Sequence, residues 1–435
     1  MASTTATPKI AIIGAGPVGL SLAAILHHNG INASIFERES SATVRAQGGT
    51  LDIHADAGQR ALIAAGLLDK FRKLAREEGE AMKLMKGNGT VIHDENEEQK
   101  GGEEGEKGHG DEGEGEARGR PEIDRRDLKD LLIAALPEGY IRWGKGVASI
   151  KPVPGTAQWT LEFIGGSGND DESGPYDLVL GADGAWSRVR PLLTDVKPLY
   201  SGITTLDVWI SAEGLKKRPD IANFIGKGTC LISSEGRSMG LQRHSDGSAR
   251  TYVFVQTNKD VGGEVPTAKA LLKFTEEESK EIGEVNWADE KIRKRFLDTH
   301  FGDWAKESID LVLAMTEQPT LRPLFMLPVG HKWEGRPGVT LLGDAAHVMT
   351  PFAGVGVNVG MTDALELAEG IIGYVKGNEK GTDELTKVLR KYEEGMFERS
   401  SRDAAFTEMM MHYHHEDGGV EKIRDVVMGM GGGNE

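Results

Sequence analysis

Apolar residues along this chain recur in two rhythms. In KIAIIGAGPVGLSLAAILHHNGINASIFERES, residues 10 to 13 form a short apolar run of strand length, and beyond a glycine turn the apolar positions follow helical spacing to about His28. Gly30 is placed as the helix C-cap, and a second strand ends at Glu37. The pattern predicts a βαβ unit. An apolar run that breaks abruptly recurs twice, in YDLVLGADGAWSRVR (176–190) and in VTLLGDAAHVMTPFAGVGVNVGMTDA (339–364). In the latter, Pro351 and the glycines forbid a continuous helix until about Asn358. Between them, ITTLDVWISAE, TCLISSEGRSMGLQRH and ARTYVFVQT alternate like strands of a sheet, and VNWADEKIRKRFLDTHFGDW has the spacing of a covering helix. From residue 383 onward, DELTKVLRKYEEGMFERSSRDAAFTEMMMHYHH predicts one long helix with His412 to His415 at its frayed end.

Bulk properties narrow the partners. At 435 residues and 38% hydrophobic, the chain has material for a large core and for two or three domains. A net charge of -17 argues against nucleic acid or an anionic membrane, since phosphate rewards clustered Lys and Arg. Residues 94 to 116, DENEEQKGGEEGEKGHGDEGEGE, hold eleven acids against two lysines, nine of the 17 excess negative charges. With no large apolar residue to offset ordering entropy, residues 94–118 read as a disordered acidic insertion. The single cysteine, Cys230, excludes an intramolecular disulfide and any Cys-cluster metal site, and no metal is expected. The absence of a signal-type start or a membrane-length apolar run points to a soluble, cytoplasmic protein, with monomer the expected state.

The turns carry the candidate chemistry. Gly14 allows a tight turn, Gly16 lets a pyrophosphate approach, Gly19 lets helix and strand pack, and Pro17 suits the first helical position. Glu37, 18 residues after Gly19, fits the acid that binds an adenosine ribose. This selects FAD or NAD over NADP without choosing between the first two. The choice comes from Asp344, a second carboxylate at a strand end, which suits the ribityl chain that only FAD has. The amides of PFAGVGVN and the positive end of the following helix suit a flat ring that becomes anionic when reduced.

Taken together, the GxGxxG finger with its acid, the DGxxSxxR element (Asp183, Gly184, Ser187, Arg190) and the late GDAAHxxxPFAGxGxN resemble the single-component FAD monooxygenases of the para-hydroxybenzoate hydroxylase group. RAQGGTLDIHADAGQRALIAAGLL (45–68), PEIDRRDLKDLL (121–132) and GDAAHVMTPFAGVGVNVGMTDAL (343–365) are similar to the tetracycline-inactivating flavin monooxygenases. The resemblance implies that Arg45 contacts the nicotinamide cofactor or the FAD ribose, that Asp52 and Arg125 contact FAD, and that Asp344 holds the ribityl and pyrophosphate region. Arg38, beside Glu37, joins the cofactor set, and Pro351, Gly354, Gly356 and Asn358 face the flavin. Val355 departs from the Gln usual in these relatives, and residues 200 to 318 match no tetracycline-contacting block.

The implied fold is α/β. A Rossmann-like FAD-binding domain (1–195 and 319–378) is joined by a β-sheet substrate domain (196–318) and a long C-terminal bridging helix and tail (379–435). Trp209, Gln242 and Phe254 are candidates to line a substrate pocket at the domain interface. With one dinucleotide finger, NADPH or NADH is expected as a transient co-substrate. The implied cycle runs through hydride transfer, O2 addition to a flavin C4a-hydroperoxide, and transfer of one oxygen to an aromatic, phenolic or polycyclic compound. No proton-transfer residue is assigned. An FAD-dependent reductase of the same fold, and a flavin-binding interaction module using the acidic arm, are the alternatives.

Overall fold

The computed structural model describes residues 7–44, 48–96, 119–166 and 170–431. Arg45 and residues 97–118, most of the acidic insertion, lie outside the described residues. Two compact units share the chain. The first comprises Met1–Ala75, Gly113–Pro198 and Met326–Thr407, and the second Arg76–Glu112, Leu199–Phe325 and Glu408–Glu435.

A five-stranded parallel sheet organises the first unit. Its order is Val339–Leu341, Leu178–Gly181, Ile10–Ile13, Ala33–Phe36 and Ile141–Arg142. Ile10 pairs with both Leu178 and Ala33. Three of these strands are buried at every residue, as a sheet covered on both faces requires. The helix Pro17–His28 packs against the helices Gly356–Lys376 and Arg125–Ile133, and its residues from Gly19 to Leu26 are all buried. Because every strand runs the same way, the turns that follow Ile13, Gly181 and Leu341 emerge at one edge of the sheet. Strand order reverses direction at that edge between Ile10–Ile13 and Leu178–Gly181, the place where open α/β sheets bind ligands.

The second unit is built on a seven-stranded sheet in the order Thr320–Met326, Leu199–Ile210, Ala249–Gln256, Arg237–Arg243, Thr229–Ser234, Met82–Lys86 and Val91–Asp94. One face buries Leu206, Val208, Met239, Leu241 and Ile232 against Phe296, Phe301 and Leu311. Cys230 lies on that face, and burial pushes its thiol up to about 12. Trp209, Gln242 and Phe254 fall together on the opposite face, because Trp209 pairs with Arg250, Arg250 with Gln242, and Phe254 with Thr205 and Ser238. On the same face the Arg250 guanidinium donates to both oxygens of Asp207, at 2.7 and 2.5 Å, and sits over the rings of Trp209 and Tyr252.

Two expectations change. Asp94 and Glu95 belong to ordered structure rather than to an insertion: Asp94 ends a strand and pairs with Lys83 at 3.1 Å. The C-terminal helix runs over Thr382–Tyr413 as anticipated, but His414 and His415 are not a frayed end. Both are buried, the carbonyl of His414 accepts from Ser233 Oγ, and the carbonyl of His415 accepts from the amide of Gly236. Burial holds their imidazoles neutral, pushed down to about 3 and about 4.

Candidate active site

The first turn is made of backbone. Gly14 has φ 108°, its amide donates to Phe36 O at 2.9 Å, and a Cβ there would stand 2.4 Å from Ala182 O. A Cβ at Gly19 would stand 2.3 Å from Gly14 O. At Gly16, by contrast, a Cβ would meet nothing within 4 Å. The middle glycine thus borders open space, while its two neighbours are forced by packing. The helix that starts at Pro17 has no side-chain cap, so its first amides are available to an anion. Glu37 is set beside this turn: Oε2 accepts from the amide of Ala15 at 2.8 Å, and Oε1 from the amide of Glu39 at 2.9 Å. Arg38 is exposed, with Glu39 at 3.8 Å.

The late turn depends on side chains instead. After the strand Val339–Leu341, Gly343 adopts φ 58°, ψ -143°, and Asp344–His347 forms one short helical turn with the Asp344 side chain exposed. Arg190, buried at the far end of the DGxxSxxR element, grips this turn. Its Nε donates to Ala345 O at 2.7 Å and its Nη2 to Asp344 O at 3.0 Å, while Nη1 donates to Ala185 O at 2.8 Å. Asp183 of the same element sits directly beside Gly14, and burial pushes its carboxyl up although Ser187 and the amide of Arg188 oppose the shift. Behind the turn, Asp363 accepts from Gly343 N at 2.9 Å, from His347 Nε2 at 2.6 Å and from Arg399 Nη2 at 2.7 Å. Burial disfavours both the aspartate and the imidazolium, but their mutual attraction outweighs it, so Asp363 is pulled down and His347 up.

Beyond the short 3-10 turn Pro351–Ala353, Gly354 is left-handed at φ 71° and a Cβ at Gly356 would meet nothing within 4 Å. Pro351 and Gly354 are exposed. Asn358 is spent internally. Its Oδ1 accepts from the amides of His54 and Gly58 at 2.9 and 3.3 Å, and its Nδ2 donates to Asp52 O at 2.8 Å. It buckles segment 52–58 to the first turn of the helix Gly356–Lys376. The Asp52 carboxylate meets His54 Nε2 at 2.9 Å and lies 3.8 Å from the Cβ position of Gly354. Arg125 starts the helix Arg125–Ile133, its Nε 2.7 Å from where a Cβ of Gly48 would be.

Of the residues singled out from the sequence, Gly14, Gly16, Gly19 and Glu37 therefore form one cluster, and Asp52, Asp344, Pro351, Gly354, Gly356 and Asn358 belong to the late turn and the segment buckled to it. Asp363, His347 and Arg399 escaped notice. A lone acid within the apolar run VNVGMTDAL was the available signal, since an Asp on the packed side of such a helix must be buried and paired. Among the described residues no cluster of three or more His, Cys, Asp or Glu could hold a metal, and no helix is long and apolar enough to cross a membrane. The open space at Gly16 and Gly356, the uncapped helix start and the exposed Asp344 fit an extended dinucleotide.

Similarity to known proteins agrees. The FAD binding domain family matches residues 7–124 and 332–395, the segments that carry both turns. Monooxygenase penA of Penicillium thymicola is 29% identical over 450 residues, covering 96% of this chain and 98% of that protein. Monooxygenase asqM of Emericella nidulans is 31% identical over 391 residues, 83% of each. Among solved structures, the tetracycline destructase Tet(51) superposes with a TM-score of 0.59 at 19% identity, over 92% of this chain and 90% of that one, a likeness of fold. The strand order, the two glycine turns and these relatives agree that the chain belongs to the FAD-dependent monooxygenases of the aromatic hydroxylase family.

Proposed function

We propose that this enzyme consumes NAD(P)H to insert one atom of O2 into an aromatic, phenolic or polycyclic compound, the second atom leaving as water at the expense of the hydride and one proton. The observation that carries the reading is the convergence of turns 14–19, 183–190 and 343–358 at one edge of a parallel sheet, with open space at Gly16 and Gly356. Gly14, Gly16, Gly19, Glu37 and Arg38 would hold the adenosine and pyrophosphate part of FAD. Asp344, Pro351, Gly354 and Gly356 would hold the ribityl and ring part, with Asn358 fixing the loop from behind. By family resemblance Arg45, Asp52 and Arg125 complete the set. When bound, the flavin supplies the electron-accepting and oxygen-activating chemistry. The chain orients that ring, places helix-end amides where negative charge gathers, and excludes water.

For the substrate, the support is the second unit's non-core sheet face. Trp209 and Tyr252 are partly exposed there as aromatic surface with Gln242 as a polar group beside them, over the buried Phe254 and the buried Arg250–Asp207 pair. A flat, oxygen-bearing ring system suits such a face. Tetracycline-like compounds belong in the screen on that basis.

The test combines a spectrum with oxygen uptake. The purified protein should show oxidised-flavin absorbance near ~450 nm and NADPH-dependent oxygen consumption that a phenolic or tetracycline-like compound accelerates, with product one oxygen atom heavier. Reduction or dehydrogenation of the compound without oxygen incorporation would sink this reading in favour of the reductase alternative.

A further inference from the structure

Asp363 is too deep to meet a ligand. It lies in the second turn of the helix Gly356–Lys376 with none of its surface exposed. Yet its carboxylate holds both ends of the turn that carries Asp344: Oδ2 takes the Gly343 amide on one side and His347 Nε2 on the other. Oδ1 takes Arg399 Nη2, and Arg399 Nη1 continues to Glu366 at 2.7 Å. Gly343 needs such a hold, because φ 58°, ψ -143° is one of several states open to glycine and nothing in its own side chain selects it. Arg190 secures the carbonyls of Asp344 and Ala345, so the turn is gripped front and back while the Asp344 carboxylate stays exposed. Apolar packing commonly serves stability as well as a buried ion pair does. What such packing cannot supply is a fixed direction for the turn.

We propose that Asp363 is a positioning residue of the cofactor site, presetting the direction of Asp344 through Gly343 and His347, and that through Arg399 it ties FAD affinity to the C-terminal helix. The inference rests on the reading that Asp344 binds FAD.

The experiment is a double-mutant cycle on FAD binding, with flavin-stripped full-length protein titrated by fluorescence quenching and its fold checked by far-UV circular dichroism. Asp344→Asn is expected to weaken FAD about 10- to 100-fold, the range for a lost hydrogen bond to a charged group, and Asp363→Asn to weaken it comparably. If Asp363 acts through Asp344, the double variant should be no more than about threefold weaker than Asp344→Asn alone, because coupled sites are not additive. A residue that merely holds the fold together would give losses that multiply, and multiplied losses overturn the proposal. So does an Asp363→Asn protein that binds FAD within about twofold of the parent while Asp344→Asn does not. Normal binding by Asp344→Asn would instead remove the placement of FAD, and the inference with it. Should Asp363→Asn fail to fold, Arg399→Lys keeps the cation but not the two-pronged grip. It is expected to weaken FAD several-fold, and unchanged affinity overturns the proposal.

Discussion

The two glycine turns at the edge of the parallel sheet reach similar ends by different means. The first, Gly14 to Gly19, is held mostly by main chain against main chain, Gly14 N on Phe36 O and Ala182 N on Ile13 O, with the neighbouring Glu37 carboxylate on Ala15 N as its side-chain tie. The late turn is held by side chains drawn from elsewhere, with Arg190 in front, Asp363 behind and Asn358 across to segment 52–58. A backbone-built turn should fail all at once when a Cβ is forced into it. One buckled by side chains should fail piecemeal.

The sharpest break is Gly14→Ala. With φ 108° and Ala182 O at 2.4 Å from the new Cβ, strain and overpacking add, and a loss of about 3 kcal/mol or more is expected. Urea unfolding of the stripped protein measures it, and a loss near zero would show the first turn to be as adaptable as the second. Next comes Asn358→Ala, which orphans the buried amide of Gly58 and the half-buried amide of His54 and should cost about 2–3 kcal/mol, with FAD affinity falling as segment 52–58 detaches. A variant as stable as the parent would mean the buckle is ornamental.

A smaller effect concerns pH. The folded-state pKa of His347 is raised above its ordinary 6.5, so its contribution is fully present below pH 6.5 and is lost as pH rises through the raised value. Asp363 is shifted down from 3.8, so its share is present above that pH and lost on acidification. The late turn should therefore be firmest between about pH 4 and 6.5, and His347→Gln should flatten the alkaline decline, about 1.4 kcal/mol per pH unit for one proton. Denaturant midpoints from pH 5 to 9 test this; an unchanged slope would disconnect His347 from the turn. Least for stability is Gly356→Val. Nothing lies within 4 Å of the new Cβ, so unfolding should shift by no more than about 0.5 kcal/mol, while FAD retention is lost. Full flavin content in that variant would contradict the loop's placement.

The same contrast explains what the sequence made legible. Gly14, Gly16, Gly19 and Glu37 were readable because a backbone-built turn writes its needs locally, as glycines at fixed spacing followed by an acid. The long helix Thr382–Tyr413 and the alternation around Trp209 were readable because periodicity is local too. Asn358 could be seen to matter, but not that it is satisfied by amides some 300 residues earlier in the chain. Asp363 and Arg399 are joined across 36 residues by a bond that no spacing rule encodes. Likewise, the hairpin of Met82–Lys86 and Val91–Asp94 joins a sheet whose other strands begin at Leu199, through a parallel pairing with Thr229–Ser234. Non-local pairing leaves no periodic mark.

Cys230 has a bearing on durability. Oxidants such as peroxide attack cysteine as the thiolate, and chiefly where it is exposed. Here the sole cysteine is wholly buried with its thiol pushed up to about 12, so it offers almost no thiolate to an oxidant in solution. Exposure to peroxide should leave this sulfur intact, and a cysteine introduced at the surface would be the one uniquely reactive thiol on the molecule.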